Sequence, residues 1–140
     1  SPFPPNILLK VKMMTNEEKK AEAQKIIAIK PSLFDLGKNS SITNYGFLCD
    51  AGWLPAIAEL IQELAALDLP ADFRINQIKE KWSELKVHTY PLIEQVAEII
   101  EKYRLRLENV CESCGGYAEL KTDNAFYRVR CDSCESARKD

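Results

Sequence analysis

Four cysteines near the C-terminus, spaced Cys111-x2-Cys114-x16-Cys131-x2-Cys134, constrain this chain more than any other feature. Two residues between paired sulfurs let both reach one ion from a tight turn, and the overall spacing is that of a four-thiolate zinc site. Gly115 and Gly116 follow the first pair, where permissive backbone can aim N–H groups at sulfur. The intervening YAELKTDNAFYRVR reads as strand, Thr-Asp-Asn turn, strand. A hairpin of that kind delivers Cys111, Cys114, Cys131 and Cys134 to one Zn2+. Four sulfurs fill a tetrahedron, so the metal is expected to be structural, supplying folding energy to a segment too small for its own core. Two pairs bracketing a hairpin do not resemble a redox dithiol that follows a strand and opens a helix. Iron in place of zinc is the remaining alternative.

Disulfides are the competing use of cysteine. The opening SPFPPNILLKVKMM is a poor signal peptide, its short apolar stretch interrupted by lysines. A reducing cytoplasm is therefore expected, the host cytoplasm if the gene belongs to a phage, and with it metal binding. Residues 1–14 read as an extension outside the core, with Met13 or Met14 as a possible natural start. Hydrophobic content is 46% and the formal charge −2, an ordinary globular balance with no global pull toward phosphate or anionic lipid. No uncharged apolar run approaches the roughly 18 residues of a membrane span.

Upstream of the cysteines the pattern predicts an α+β core over 15–108 and a zinc ribbon over 109–140. Thr15-Asn16-Glu17-Glu18 has the spacing of a capping box and opens a helix that Pro31 closes. Residues 35–46, DLGKNSSITNYG, are turn chemistry and read as a loop. GWLPAIAELIQELAALDLP carries a stripe of Ile57, Leu60, Ile61, Leu64 and Leu67, with Pro55 in its first turn and Pro70 at its end. Residues 73–90 alternate with period two at both ends, which favours two strands joined by the Lys79–Glu84 stretch; a helix from Ile75 to Leu85 is the competing reading. Pro91 is expected to start a last helix with Leu92, Val96, Ile99, Ile100, Tyr103 and Leu107 on one face.

Three further clusters bear on function. Phe126, Arg128 and Arg130 share a strand face, an aromatic beside two guanidiniums that suits single-stranded nucleic acid. Lys79, Lys81, Trp82 and Lys86 gather near the expected hairpin tip, where a tryptophan among charges suits a binding hot spot. Glu59 and Glu63 lie one turn apart on a helix without Lys or Arg, an acidic face able to dock on a basic protein. Against nucleic acid, residues 111–140 carry five cationic and six anionic side chains, and four thiolates on one Zn2+ add about two negative charges. Catalysis has thin support. Cys49 and His88 are a conceivable nucleophile pair, but Cys49 reads better as a small buried hydrophobe.

The order of motifs, Gly52-Trp53, then Gln77-x-Lys79-Glu80-Lys81, then Cys111-Glu112-x-Cys114-Gly115, resembles a family of small proteins of phages, prophages and bacterial accessory gene sets. The likeness spans roughly residues 50–134. Trp82-Ser83 stands where that pattern has Phe-Gly, Lys86-Val87-His88 replaces its Arg-Phe-Tyr portion, and Cys134 stands where histidine is frequent. The resemblance implies a small accessory protein that binds a host or defence protein. The expected function is thus a non-enzymatic protein-binding module with a structural zinc site, a phage-type inhibitor or modulator; the alternative is a nucleic-acid-binding zinc ribbon.

Overall fold

The computed structural model describes residues 14–123 and 126–139; the extension over 1–13 lies outside them. The fold is α+β, with helices packed around one antiparallel hairpin and a small cysteine-bearing lobe at the end of the chain. Thr15 caps helix α1 (Asn16–Ile27) through a reciprocal capping box, the Glu18 N–H donating to Thr15 Oγ1 and the Thr15 N–H to Glu18 Oε1, both at 3.1 Å. Ala23, Ile26 and Ile27 of α1 are buried in the core.

The segment 35–46 is not the uninterrupted loop its composition suggests. Helix α2 (Ser41–Tyr45) forms within it, because the Ser40 hydroxyl accepts the Thr43 N–H at 3.0 Å and Ile42 is fully buried. Asp50 caps a 3-10 turn, Ala51–Trp53, which runs into helix α3 (Leu54–Ala65) with Pro55 in its first turn. Ile57, Leu60, Ile61 and Leu64 carry the stripe at zero exposure. The helix ends ahead of Pro70, and Leu67 packs on the core from the following turn.

Residues 73–90 form the hairpin, with β1 (Arg74–Lys81) antiparallel to β2 (Glu84–Tyr90). Its turn is tighter than the Lys79–Glu84 stretch. Trp82 and Ser83 alone make it, at φ 54° and 68°, a left-handed pair matched to strand twist. A bulge between Ile75 and Gln77 interrupts the alternation, so Ile75 and Ile78 both reach the core. Phe34 and Leu48 add isolated parallel bridges along β1, to Ile75 and Lys79.

Helix α4 (Glu94–Leu107) starts later than Pro91. Ile93 is extended and packs on the core, which leaves Leu92, expected on the apolar face, in solvent. Glu59 and Glu63 do not form a free acidic face. Arg106 of α4 donates to Glu59 at 2.6 Å, Lys102 to Glu63 at 2.7 Å, and the Tyr103 hydroxyl also to Glu63. They fasten α3 to α4.

Candidate metal centre

After α4 the chain builds a second, much smaller hydrophobic cluster of Cys111, Ala118, Val129 and Cys134. Two short strands, β3 (Leu120–Lys121) and β4 (Arg128–Val129), pair antiparallel and supply the expected hairpin. The second cysteine pair then stands at the start of helix α5 (Asp132–Lys139), an element the sequence reading did not include. Acidic Asp132 and Glu135 in its first turn were the available signal. The lobe is thus a knuckle, a hairpin and a helix.

The four sulfurs all lie within 4.8 Å of one another. Those of Cys114 and Cys131 are 3.8 Å apart, far beyond the ~2.05 Å of a disulfide. They match the edge of about 3.8 Å that a tetrahedron with Zn–S near 2.3 Å requires. Backbone N–H groups are aimed at the sulfurs: Gly116 to Cys114 at 3.4 Å, Cys131 to Cys111 at 3.2 Å, and Cys134 to Cys131 at 3.4 Å. Burial raises the Cys114 and Cys134 thiols. At Cys131 burial is outweighed by the Cys134 N–H and the neighbouring thiols, and the group is lowered. A thiolate on one cysteine disfavours a thiolate on the next, and a divalent cation would offset that repulsion. The cluster is a set of donors able to hold a metal ion, and sulfur from two paired positions suits zinc.

The knuckle is keyed into the main core at Gly52-Trp53. The Gly52 N–H donates to the Glu112 carbonyl at 2.7 Å, and the fully buried Trp53 indole donates to the Val110 carbonyl at 3.0 Å. Gly115, at φ 82°, packs against Gly52. The Glu112 carboxylate accepts the Asp50 N–H at 2.9 Å; burial raises this carboxyl while that bond lowers it. Asp50 itself gathers Lys19 from α1 and Ser113 and Arg138 from the lobe. Sequence reading singled out neither Asp50, Ser113 nor Arg138. The signal available was Asp50 as a cap before Ala51-Gly52-Trp53, and Ser113 lying between Cys111 and Cys114.

The other candidate residues separate. Trp82, 63% exposed at the hairpin tip, meets Tyr127 of the lobe edge-on, with ring centroids 6.0 Å apart at 78°. Lys79 pairs across the ladder with Lys86, which bonds Glu84 at 3.2 Å. Phe126 is 74% exposed. Arg128 and Arg130 do not stand beside it as open guanidiniums. Their side chains are 12% and 17% exposed, and both bind Glu135 of α5, Arg128 through Nε at 3.0 Å and Arg130 at 2.6 Å. The Arg128 bonds, with Arg130 assisting against burial, hold the Glu135 carboxyl down to about 2. Cys49 lines a cleft of about 630 Å³ between α1 and the lobe, where burial, with Glu112 and Asp50, pushes its thiol far up. His88 is exposed on β2, opposite Gln77. No helix among the described residues is long and apolar enough to cross a membrane. Comparison with protein-family models, curated proteins and solved structures finds no match.

Proposed function

We propose that this chain is a non-enzymatic protein-binding module built around a structural Zn2+, acting as a phage-type inhibitor or modulator of a host or defence protein in the host cytoplasm. The observation that carries the reading is the convergence of four thiols on one point, keyed to Gly52-Trp53. Cys111, Cys114, Cys131 and Cys134 would complete a tetrahedral ion and leave no coordination position for substrate. A raised Cys49 thiol is a poor nucleophile at neutral pH. The inhibitor role is supported by the motif resemblance, whose Gly-Trp and Cys-Glu-x-Cys-Gly elements are here the two halves of one contact. Protein binding is supported by the exposed ring of Trp82 at the hairpin tip and the Tyr127 ring of the lobe against it. Nucleic-acid binding is the weaker reading, because Glu135 occupies Arg128 and Arg130.

Reductively purified protein is expected to hold one zinc per chain by elemental analysis, and Cys114→Ser with Cys131→Ser to hold none. Metal-free wild-type protein would overturn the centre. Titration with labelled single- and double-stranded DNA at two salt concentrations is expected to show no tight, steeply salt-dependent binding.

A further inference from the structure

The four thiols of the centre are not equivalent. Cys111 and Cys134 are buried, while Cys131 is half-buried and stands at the entrance to α5. The side chain of its neighbour Asp132 lies almost wholly in water. Across the centre, on the other knuckle, the Cys114 sulfur stands 3.8 Å from that of Cys131. A dissolved oxidant therefore reaches Cys131 before the buried pair, and a second sulfur is already beside it. Metal binding keeps such cysteines as thiolates at neutral pH, and the thiolate is the form that attacks an oxidant. Access then orders the four.

We propose that the metal centre is also a peroxide-responsive switch, opened by a Cys114–Cys131 disulfide that expels Zn2+. The proposal rests on the zinc reading of the four thiols. In the first step the Cys131 thiolate attacks an oxygen of hydrogen peroxide. An S–O bond forms, the O–O bond breaks and hydroxide leaves, so sulfur is oxidised and the peroxide reduced. In the second step the Cys114 thiolate attacks the Cys131 sulfur. The S–S bond forms, the S–O bond breaks and a second hydroxide leaves. Protons from solvent turn both hydroxides into water. The two sulfurs close from 3.8 Å to ~2.05 Å. That removes two ligands from the ion, and Cys111 with Cys134 cannot complete a tetrahedron alone.

The opening reaches beyond the lobe. Cys111 lies between Val110, whose carbonyl accepts from the Trp53 indole, and Glu112, which accepts from Gly52 and Asp50. Ser113 and Arg138 tie the same lobe to Asp50. Loss of the ion loosens both attachments, so oxidation at one exposed sulfur is passed to the main core. Cys49 stands outside this chemistry, because burial pushes its thiol up and keeps it protonated.

The zinc-loaded full chain is treated with graded hydrogen peroxide while a metallochromic dye follows Zn2+. Differential alkylation with peptide mass spectrometry follows each cysteine, and dimedone traps sulfenic acid. Zn2+ is expected to leave in step with the thiols of Cys114 and Cys131, which are then found joined to each other. Dimedone should mark Cys131 first, and a thiol reductant with added Zn2+ should restore the centre. Cys49→Ser should release Zn2+ as fast as wild type. A first disulfide within either Cys-x-x-Cys pair, dimedone on another cysteine first, or a Cys49→Ser variant that keeps its zinc overturns the proposal. Protein purified without zinc refutes the centre and the switch with it. A zinc-loaded wild-type chain that keeps its ion under peroxide refutes the switch alone.

Discussion

Gly52 joins the two parts of the molecule by having no side chain. A Cβ there would lie 2.3 Å from the Cys111 carbonyl, 2.6 Å from that of Glu112 and 2.5 Å from the Gly115 nitrogen. All three are backbone atoms of the knuckle, so no rotamer relieves the clash and the knuckle must move. Gly52→Ala is expected to destabilise the fold by about 3 kcal/mol, the upper range for overpacking, and to release zinc faster to a chelator. Denaturant unfolding and a competition assay with a metallochromic dye check both; an unchanged midpoint and unchanged release would show that the contact is dispensable. The convergence of the four thiols was legible in the sequence because a Cys-x-x-Cys pair is a local device whose geometry is written in its spacing. The role of Gly52 was not, since its partners are distant in the chain and only the folded backbone brings them within contact. The pairing of Arg128 and Arg130 was hidden for a related reason. Glu135, which bonds both, belongs to a helix that composition hardly announced.

Elements were legible where periodicity was clean. The stripe of α3 and the two arms of the hairpin follow from side-chain alternation alone. The bulge at Ile75–Gln77 and the Trp82-Ser83 turn break those periods, and their boundaries were lost with them. The contact between α3 and α4 carries a pH signature. Hydrogen bonds from Lys102 and then Tyr103 hold Glu63 below its ordinary 4.5. A lowered folded-state value means that its stabilisation is present above pH 4.5 and is lost as pH falls through the lower folded value. Tyr103 runs the other way, with burial and then the Glu63 bond raising it from 10.0 to about 12. Its contribution is full below pH 10.0 and declines as pH climbs toward about 12. Urea midpoints measured from neutral to acidic pH should therefore fall more steeply for wild type than for Glu63→Gln. An alkaline ultraviolet titration should show one tyrosine ionising near 12, absent in Tyr103→Phe. Parallel acid slopes for wild type and Glu63→Gln would mean that the pair is not formed in solution.

At the scale of the whole chain, two clusters of very different size share one fold. The main cluster holds 22 buried side chains, from Ala23 to Leu107. The lobe holds four, two of them the thiols of Cys111 and Cys134. Without a metal, Ala118 and Val129 are the buried apolar filling that remains there among the described residues, too little to offset the entropy of ordering the lobe. Among the described residues the main core has a sheet, four α-helices and its own apolar interior, so it is expected to stay compact without the metal. It does depend on the lobe at one seam: the Val110 carbonyl is the acceptor for Trp53, and Glu112 supplies acceptors to Gly52 and Asp50. Chelation is therefore expected to act in two steps. Amides of residues 111–123 and 126–139 should lose hydrogen-exchange protection first, while Ile57, Leu60, Ile61, Ile75 and Ile78 retain theirs. The seam then loosens, Trp53 emission shifts to the red, and the melting temperature of the remaining core falls. Readdition of Zn2+ should reverse both changes. Simultaneous loss of protection across α3 and the lobe would make the metal a condition for the entire fold, and no loss anywhere would remove the metal from the structural account altogether.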